Sequence, residues 1–537
     1  MTDALAVRGE RVVALGPQAA ALARQADEVV DLAGDALLPA FGDGHAHPLF
    51  AGLQALGPPV SSCTSVEAVV AAVAGWVAEH PGDGWVVGGR YDPTLAPGGD
   101  FDARWLDAAV PDRPVVLDAS DHHTMWVNTE ALRRAGIDAG TPDPPVGRVV
   151  RRDDGSPLGT LREWDACDLV RAHVPAWTRA QQVGALAAAT TTLAAAGVTW
   201  VTDAWVELDA LPAWLAAARE DRLAARVELA FRLDPARWRA QLPDVRETVA
   251  QVRALGHARL SARSVKLFVD GVLEGGTATL LEPYLPLPGA AAGHDPCPHP
   301  APEDHGMPVW RAGELHAAVA AVVEGGLRPH LHAIGDAAVR LGLDALAALD
   351  SPRGRLRELR AVLAHCQLVD PADLPRFAEL GVVANCEPLW AAWDPVQAEL
   401  TAPRLGPERT RRQYPLATLV RSGAPVSFGS DWPVTSHVPL EGVQVAVTRV
   451  PPGGDGAAWL PHERLTVEEA LHAYTVGSAH QAFADDRGVL RPGAVADLVR
   501  LSADPVEVAA DHPGRLREVE VRATWCAGER TWAAPDA

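Results

Sequence analysis

Short apolar runs that end in polar residues recur through the middle of the chain. They lie at Leu37–His45, Gly197–Asp203, Arg226–Leu233, Ser264–Asp270, Leu327–His332, Arg360–His365, Gly381–Asn385 and Pro425–Asp431. Runs of this length, bounded by turn residues, match strands buried on both faces of a parallel sheet. Between them the apolar spacing turns helical at Val183–Ala196, Glu314–Glu324, Ala337–Leu349 and Pro371–Leu380. Asp370 is placed as N-cap of the last of these, with Pro371 at its first helical position. Thr466-Val-Glu-Glu469 has the form of a capping box ahead of a final long helix. Eight strands alternating with helices predict an α/β fold, a (β/α)8 TIM-type barrel with its chemistry at the C-terminal strand ends. A doubly wound open sheet is the alternative topology.

Both ends of the chain depart from this repeat. Leu5–Val7, Arg11–Leu15 and Val29–Leu32 have strand patterning punctuated by glycine, and Val495–Leu501 and Val519–Trp525 resemble them. The two termini are therefore expected to pair into one small β-sandwich, residues 1–40 with 485–537, flanking a barrel at 41–484. Residues from about 52 to 190 interrupt the barrel between its first and second strands. They carry strand-like runs of their own, Trp85–Gly89 and Pro114–Ala119, and are assigned as an inserted subdomain. The Pro-, Gly- and His-rich stretch 286–308 follows the fourth strand and is a candidate lid.

Composition narrows the partners. With 47 basic against 69 acidic residues in 537, the formal net charge is −22, which repels phosphate backbones and anionic lipid. A small-molecule substrate is expected, with neither nucleic acid nor membrane as partner, and a homodimer is the base-rate assembly. From six scattered cysteines without CxxC spacing, and the lack of a signal-like or transmembrane run, a cytoplasmic location is expected. One feature of the composition bears on chemistry. Lys266 is the only lysine, every other basic residue being arginine. Arginine stays protonated, whereas a buried lysine can lose its proton and react with a carbonyl or with carbon dioxide. Drift in an arginine-biased sequence is the competing explanation.

The strand ends gather metal-binding residue types. Asp43-Gly-His-Ala-His47 ends the first strand, and HxH on a strand points both imidazoles to one side. The fourth strand carries Lys266, the fifth His330 and His332, the sixth His365, and the eighth Ser430-Asp431. Each piece alone is weak, since a lone strand histidine is more often a satisfied core residue than a ligand. Their convergence on one face of the barrel is specific.

The residues that carry these features resemble the amidohydrolase superfamily, and within it the YtcJ-like branch similar to N-substituted formamide deformylase (amidohydrolase family 3). The resemblance runs nearly end to end. It rests on Phe41-Gly-Asp-Gly-His-Ala-His-Pro48, His123-Thr-Met-Trp-Val-Asn-Thr-Glu-Ala-Leu132 and Gly159-Thr-Leu-Arg-Glu163. Further carriers are Val265-Lys-Leu-Phe-Val-Asp-Gly271, Thr277-Ala278, Pro283-Tyr284, His332-Ala-Ile-Gly-Asp-Ala337, Gly429-Ser-Asp-Trp-Pro433 and Gly493-Ala-Val-Ala-Asp-Leu498.

The resemblance implies a hydrolase of a non-peptide C–N bond in an amide, N-substituted formamide or cyclic amide. It implies two divalent metals, zinc first, with Mn, Fe, Co or Ni as alternatives. His45 and His47 would bind the more buried metal and His332 and His365 the second. Lys266, carboxylated by CO2, would bridge them, and Asp431 would serve as ligand and catalytic proton shuttle for the hydroxide held between the metals. His123 and Glu163 match motifs of the insertion and are assigned to the substrate or to support of the site. Trp126, Trp390 and Trp432 are candidate substrate contacts, because tryptophan is abundant, 17 against 4 tyrosines and 8 phenylalanines, and sits beside these motifs. Glu387-Pro388 stands where the family often has Gln-Pro; pairing of Glu387 with an arginine at the rim is the preferred reading, and reach to the metals the other. A deaminase or isomerase on the same ligands, and a non-catalytic scaffold, are the competing functions.

Overall fold

The computed structural model describes residues 3–286, 304–349 and 353–535. Eight parallel strands form one sheet in chain order: β1 (Phe41–Ala46), β2 (Val198–Val206), β3 (Arg226–Arg232), β4 (Leu260–Phe268), β5 (Arg328–Ala333), β6 (Val362–His365), β7 (Val383–Cys386) and β8 (Val426–Phe428). All eight fall within or across the expected runs, and the sheet curls into a nearly closed TIM-type barrel rather than an open doubly wound sheet. Each strand is buried along almost its whole length, as continuous apolar patterning requires.

The seam between β8 and β1 has no strand ladder of its own and closes just above the sheet. Asp431 N donates to His45 O at 2.7 Å, and His47 N donates to Trp432 O at 2.6 Å. Ser430 Oγ donates to Asp43 Oδ2 at 2.5 Å. Gly429 permits this approach, because a Cβ there would stand 2.9 Å from the backbone N of His45. The seam that closes the barrel thus also fixes His45, His47 and Asp431 against one another.

Helices Arg179–Ala195, Ala312–Glu324 and Asp336–Ala347 pack outside the strands close to their expected bounds. Thr178 with Gln181, and Thr466 with Glu469, form capping boxes. The helix expected at Pro371–Leu380 is shorter. It begins at Leu374 with Asp373 as N-cap residue, and Asp370 instead accepts from Ala372 N in the turn before it.

The termini come together. Ala36–Pro39 pairs antiparallel with Leu498–Leu501, which pairs with Val521–Cys526 and through it with Glu529–Ala533. A hairpin of Leu5–Arg8 and Arg11–Leu15 shares a small apolar cluster with that sheet through Val12, Ala496 and Leu498. Val29–Leu32 forms no strand and lies largely exposed: with no partner strand beside it, its alternation finds nothing to pair with. The insertion holds a five-stranded mixed sheet, in order Val86–Tyr91, Val115–Ala119, Thr124–Val127, Pro157–Arg162, Arg148–Arg151. Most of the candidate lid at 286–308 lies outside the described residues. Among the described residues no helix is long and apolar enough to cross a membrane.

Candidate metal centre and substrate cavity

The period-two alternation of the strands stacks the barrel interior in layers. The register pairs Ser264 with Arg328, then Lys266 with His330, then Phe268 with His332. Lys266 and His330 therefore stand at the height of His45, and His332 stands one layer nearer the mouth.

In the middle layer Lys266 Nζ is 3.1 Å from His45 Nε2 and His330 Nε2 is 2.9 Å from His45 Nδ1. His330 thus orients the ring of His45. Asp431 Oδ1 lies 2.8 Å from His47 Nε2 and 3.6 Å from His45 Nε2. One ligand atom from each of His45, His47 and Asp431 lies within 4.8 Å of the others, and all three residues are buried. The His365 ring centroid is 4.6 Å from that of His45 and 4.5 Å from that of His332. All six residues assigned to metal binding from the sequence are brought together.

The donor set fits divalent cations. His365 Nε2 is buried without a hydrogen-bond partner among the described residues, whereas its Nδ1 is 3.0 Å from Glu387 Oε2. His332 Nε2 contacts Gly271 O at 3.0 Å, leaving its Nδ1 free for a ligand. One nitrogen held and the other presented is the arrangement of metal-binding imidazoles. Burial pushes His45, His330 and His332 well below the usual histidine range, so they stand as neutral donors. Burial would raise Asp431, but the hydrogen bond and charge of His47, helped by His365 and Lys266, hold it below the usual carboxylate range. Burial brings Lys266 down to about 7, so a large share of it is a free amine at neutral pH. His365 and Asp431 have left-handed backbones, at φ 75° and 52°. Such conformations persist where surrounding contacts impose them, and they cluster at functional sites.

Glu387 is neither at the rim nor paired with an arginine. It is 1% exposed and its carboxylate orients His365, because β7 carries the chain directly behind the β6 histidine. Asp203, on β2, is a further buried carboxylate, 3.9 Å from His47 and raised to about 8 by burial. Asp203 and Glu387 sit at strand ends in the sequence, and that position is the signal by which they can be found.

From the insertion, His123 reaches the cavity mouth, its ring 5.5 Å from that of His332. Its Nδ1 is 2.9 Å from Glu163 Oε2, and Thr277 Oγ1 donates to Glu163 Oε1 at 2.5 Å. Burial opposes a charge on His123, but Glu163 outweighs it and raises the imidazole above its usual range. Glu163 acts through His123 and does not itself line the cavity.

The tryptophans divide. Trp390 lines the cavity and stacks on His365 at 5.3 Å with an interplanar angle of 1°. Trp126 does not: it is fully buried in the core of the insertion, donating to Asp102 O at 3.1 Å, because its strand faces Tyr91 and Phe101. Trp432 also lies outside the lining; its ring faces His437, and its backbone carbonyl serves the seam. Trp205, Phe268 and Phe50 supply the other aromatic walls.

A profile of the amidohydrolase family matches residues 28–531. The chain belongs to the amidohydrolase family. It is 29% identical to the protein LONG AFTER FAR-RED 3 of Arabidopsis thaliana, over 94% of this chain and 84% of that one. It is 26% identical to N-substituted formamide deformylase of Arthrobacter pascens, over 98% and 94%. Among solved structures, an uncharacterized metal-dependent hydrolase from Pyrococcus furiosus superposes with a TM-score of 0.67 at 26% identity, covering 94% of this chain and 95% of that one. The amidohydrolase-type, metal-dependent hydrolase assignment therefore stands on family, fold and donor set together.

Proposed function

We propose that this hydrolase cleaves a non-peptide C–N bond in an amide, N-substituted formamide or cyclic amide, and that its centre holds two divalent metals, zinc first. The observation that carries the reading is the convergence of His45, His47 and Asp431 with Lys266, the sole lysine, in one buried cluster. The similarity to N-substituted formamide deformylase supports the choice of bond.

His45, His47, His332, His365 and a carboxylated Lys266 would hold the two cations. Lysine suits this task because its neutral amine adds to carbon dioxide, and the carbamate provides two anionic oxygens where arginine provides none. When bound, such cations would supply an acidified water and polarise the substrate carbonyl. The protein's own groups do the rest. Asp431, held ionised by His47, accepts the proton of the attacking water and returns it to the leaving nitrogen. His123, oriented by Glu163, faces the substrate from the opposite wall and donates to its carbonyl or amide. Trp390, Trp205 and Phe268 exclude water from the reacting atoms.

Elemental analysis of protein purified without chelator, with Lys266→Arg alongside, tests the centre. About two equivalents of metal in the wild type, falling in the variant, are expected. One equivalent indifferent to the substitution would leave a mononuclear centre and favour the deaminase reading. No metal after reconstitution would overturn the assignment in favour of a scaffold. Turnover of a panel of formamides and amides then identifies the bond.

A further inference from the structure

Away from the cluster of histidines, the cavity wall changes character. Asp121, Glu274 and Asp394 all line it, and no arginine does so among the described residues, although every basic residue of the chain except Lys266 is an arginine. The carboxylates are not evenly spent. Asp121 accepts from the backbone N–H groups of His123 and Thr124, at 2.8 and 2.9 Å. Asp394 accepts from Gln397 N at 2.8 Å. Glu274 lines the wall beside them, its carboxylate accepting from its own backbone N–H.

A second observation points the same way. Gln397 is 4% exposed and lines the same wall. Its Nε2 donates to Tyr414 Oη at 3.1 Å, while its Oε1 is buried with no hydrogen-bond partner among the described residues. A buried amide oxygen without a donor is costly, and a ligand that brings an N–H removes that cost. Tyr414 lines the same cavity, close enough to Glu274 and Asp394 for their charges to act on it, and aromatic rings attract cations. Burial, with the charges of Asp121 and Asp394 adding and that of His123 opposing, raises Glu274 to about 7.

We infer that the substrate carries a cationic nitrogen group, an ammonium or guanidinium, at the end remote from the scissile bond, held by Glu274 and Asp394 together with Gln397 Oε1 beside Tyr414. This rests on the C–N hydrolase reading for the position of the scissile bond, while the cation subsite stands on its own geometry. The formal charge of −22 adds long-range attraction for such a substrate.

The test has two arms on the metal-loaded, full-length protein. In the first, calorimetry compares 4-phenylbutylguanidinium with its neutral isostere 4-phenylbutylurea. The guanidinium is expected to bind about ten-fold tighter or better, and Glu274→Gln and Asp394→Asn each to cut that ratio about five-fold. In the second, kcat/KM is measured for a mono-N-formyl diamine whose far end is an ammonium, and for the same chain ending in methyl, with a preference of about ten-fold for the cation. A cation preference in binding with no formamide turnover keeps the subsite and sinks the formamide reading of the scissile bond. Formamide turnover with equal use of both substrates, and equal binding of both ligands, overturns the subsite and keeps that reading. A preference that survives both substitutions also overturns the assignment to Glu274 and Asp394.

Discussion

Two buried polar clusters share the interior of the same barrel, one at each end, and they are built on opposite principles. Toward the N-terminal ends of the strands, Arg328 is 2.6 Å from Glu228 Oε1, and Ser264 Oγ donates to the same oxygen at 2.6 Å while accepting from Arg328 Nε at 2.9 Å. Arg328 also donates to Gln481 O. Four layers of chain, β3, β4, β5 and the helical run ending at Gln481, are locked by this group. One layer higher the same strands present Lys266 and His330, and one above that His332, and there His330 Nδ1 and His365 Nε2 have no partner among the described residues. Strong opposite charges in direct contact make a plug. Neutral imidazoles, a lysine with a lowered pKa and a carboxylate held ionised make a socket, because His330 Nδ1 and His365 Nε2 keep lone pairs that the described residues leave unused.

That contrast can be broken by substitution at either end. The largest effect is expected at the socket: Asp431→Asn should lower kcat by about 10²- to 10⁴-fold with most of its metal retained. Metal content and turnover measured on one preparation check this, and near-normal activity would remove the shuttle. At the plug, Glu228→Ala leaves the Arg328 charge buried without its partner and should cost about 3–5 kcal/mol in chemical denaturation. Activity per folded molecule should stay nearly constant there, so a loss of turnover without loss of stability would contradict the division of labour.

Smaller effects sharpen it. Glu387→Gln keeps the shape of the side chain but weakens its hold on His365 Nδ1, and should reduce metal affinity by about 10- to 100-fold in a chelator competition. The mildest is a pH effect on loading. The Lys266 amine, at about 7, is increasingly neutral as pH rises through that value, and only the neutral form adds to carbon dioxide. Reconstitution of metal-free protein should therefore quicken severalfold between about pH 6 and 8, and further with added bicarbonate. A rate indifferent to bicarbonate would count against the carbamate.

Much of the site was legible from residue types at strand ends. HxH on β1, His332, His365, Asp431 and the sole lysine needed only the period-two rule and the C-terminal-end rule of barrels to be grouped. Glu387 and Trp126 were misplaced for a shared reason. Each lies next to a motif in sequence, and sequence adjacency does not reveal which face of a strand a neighbour packs against. Trp126 turned into the core of the insertion, and Glu387 turned inward behind His365 instead of outward to an arginine. Asp370 was taken for a helix cap on local grounds, yet it closes a turn and the helix starts at Leu374.

By itself, then, the chain order of apolar runs determined the barrel, and the residue types at the strand ends marked the candidates for metal binding. The first follows from periodicities that a single strand or helix already expresses, and the second from the position of those residues at strand ends. The tertiary structure alone decided what depends on packing between distant segments. It set which nitrogen of each histidine is presented, by placing His330 against His45 and Glu387 against His365. It brought Asp121, Glu274 and Asp394 from three separate loops to one wall. Burial then shifted their proton affinities, a change that arises only when water is excluded by the folded chain as a whole.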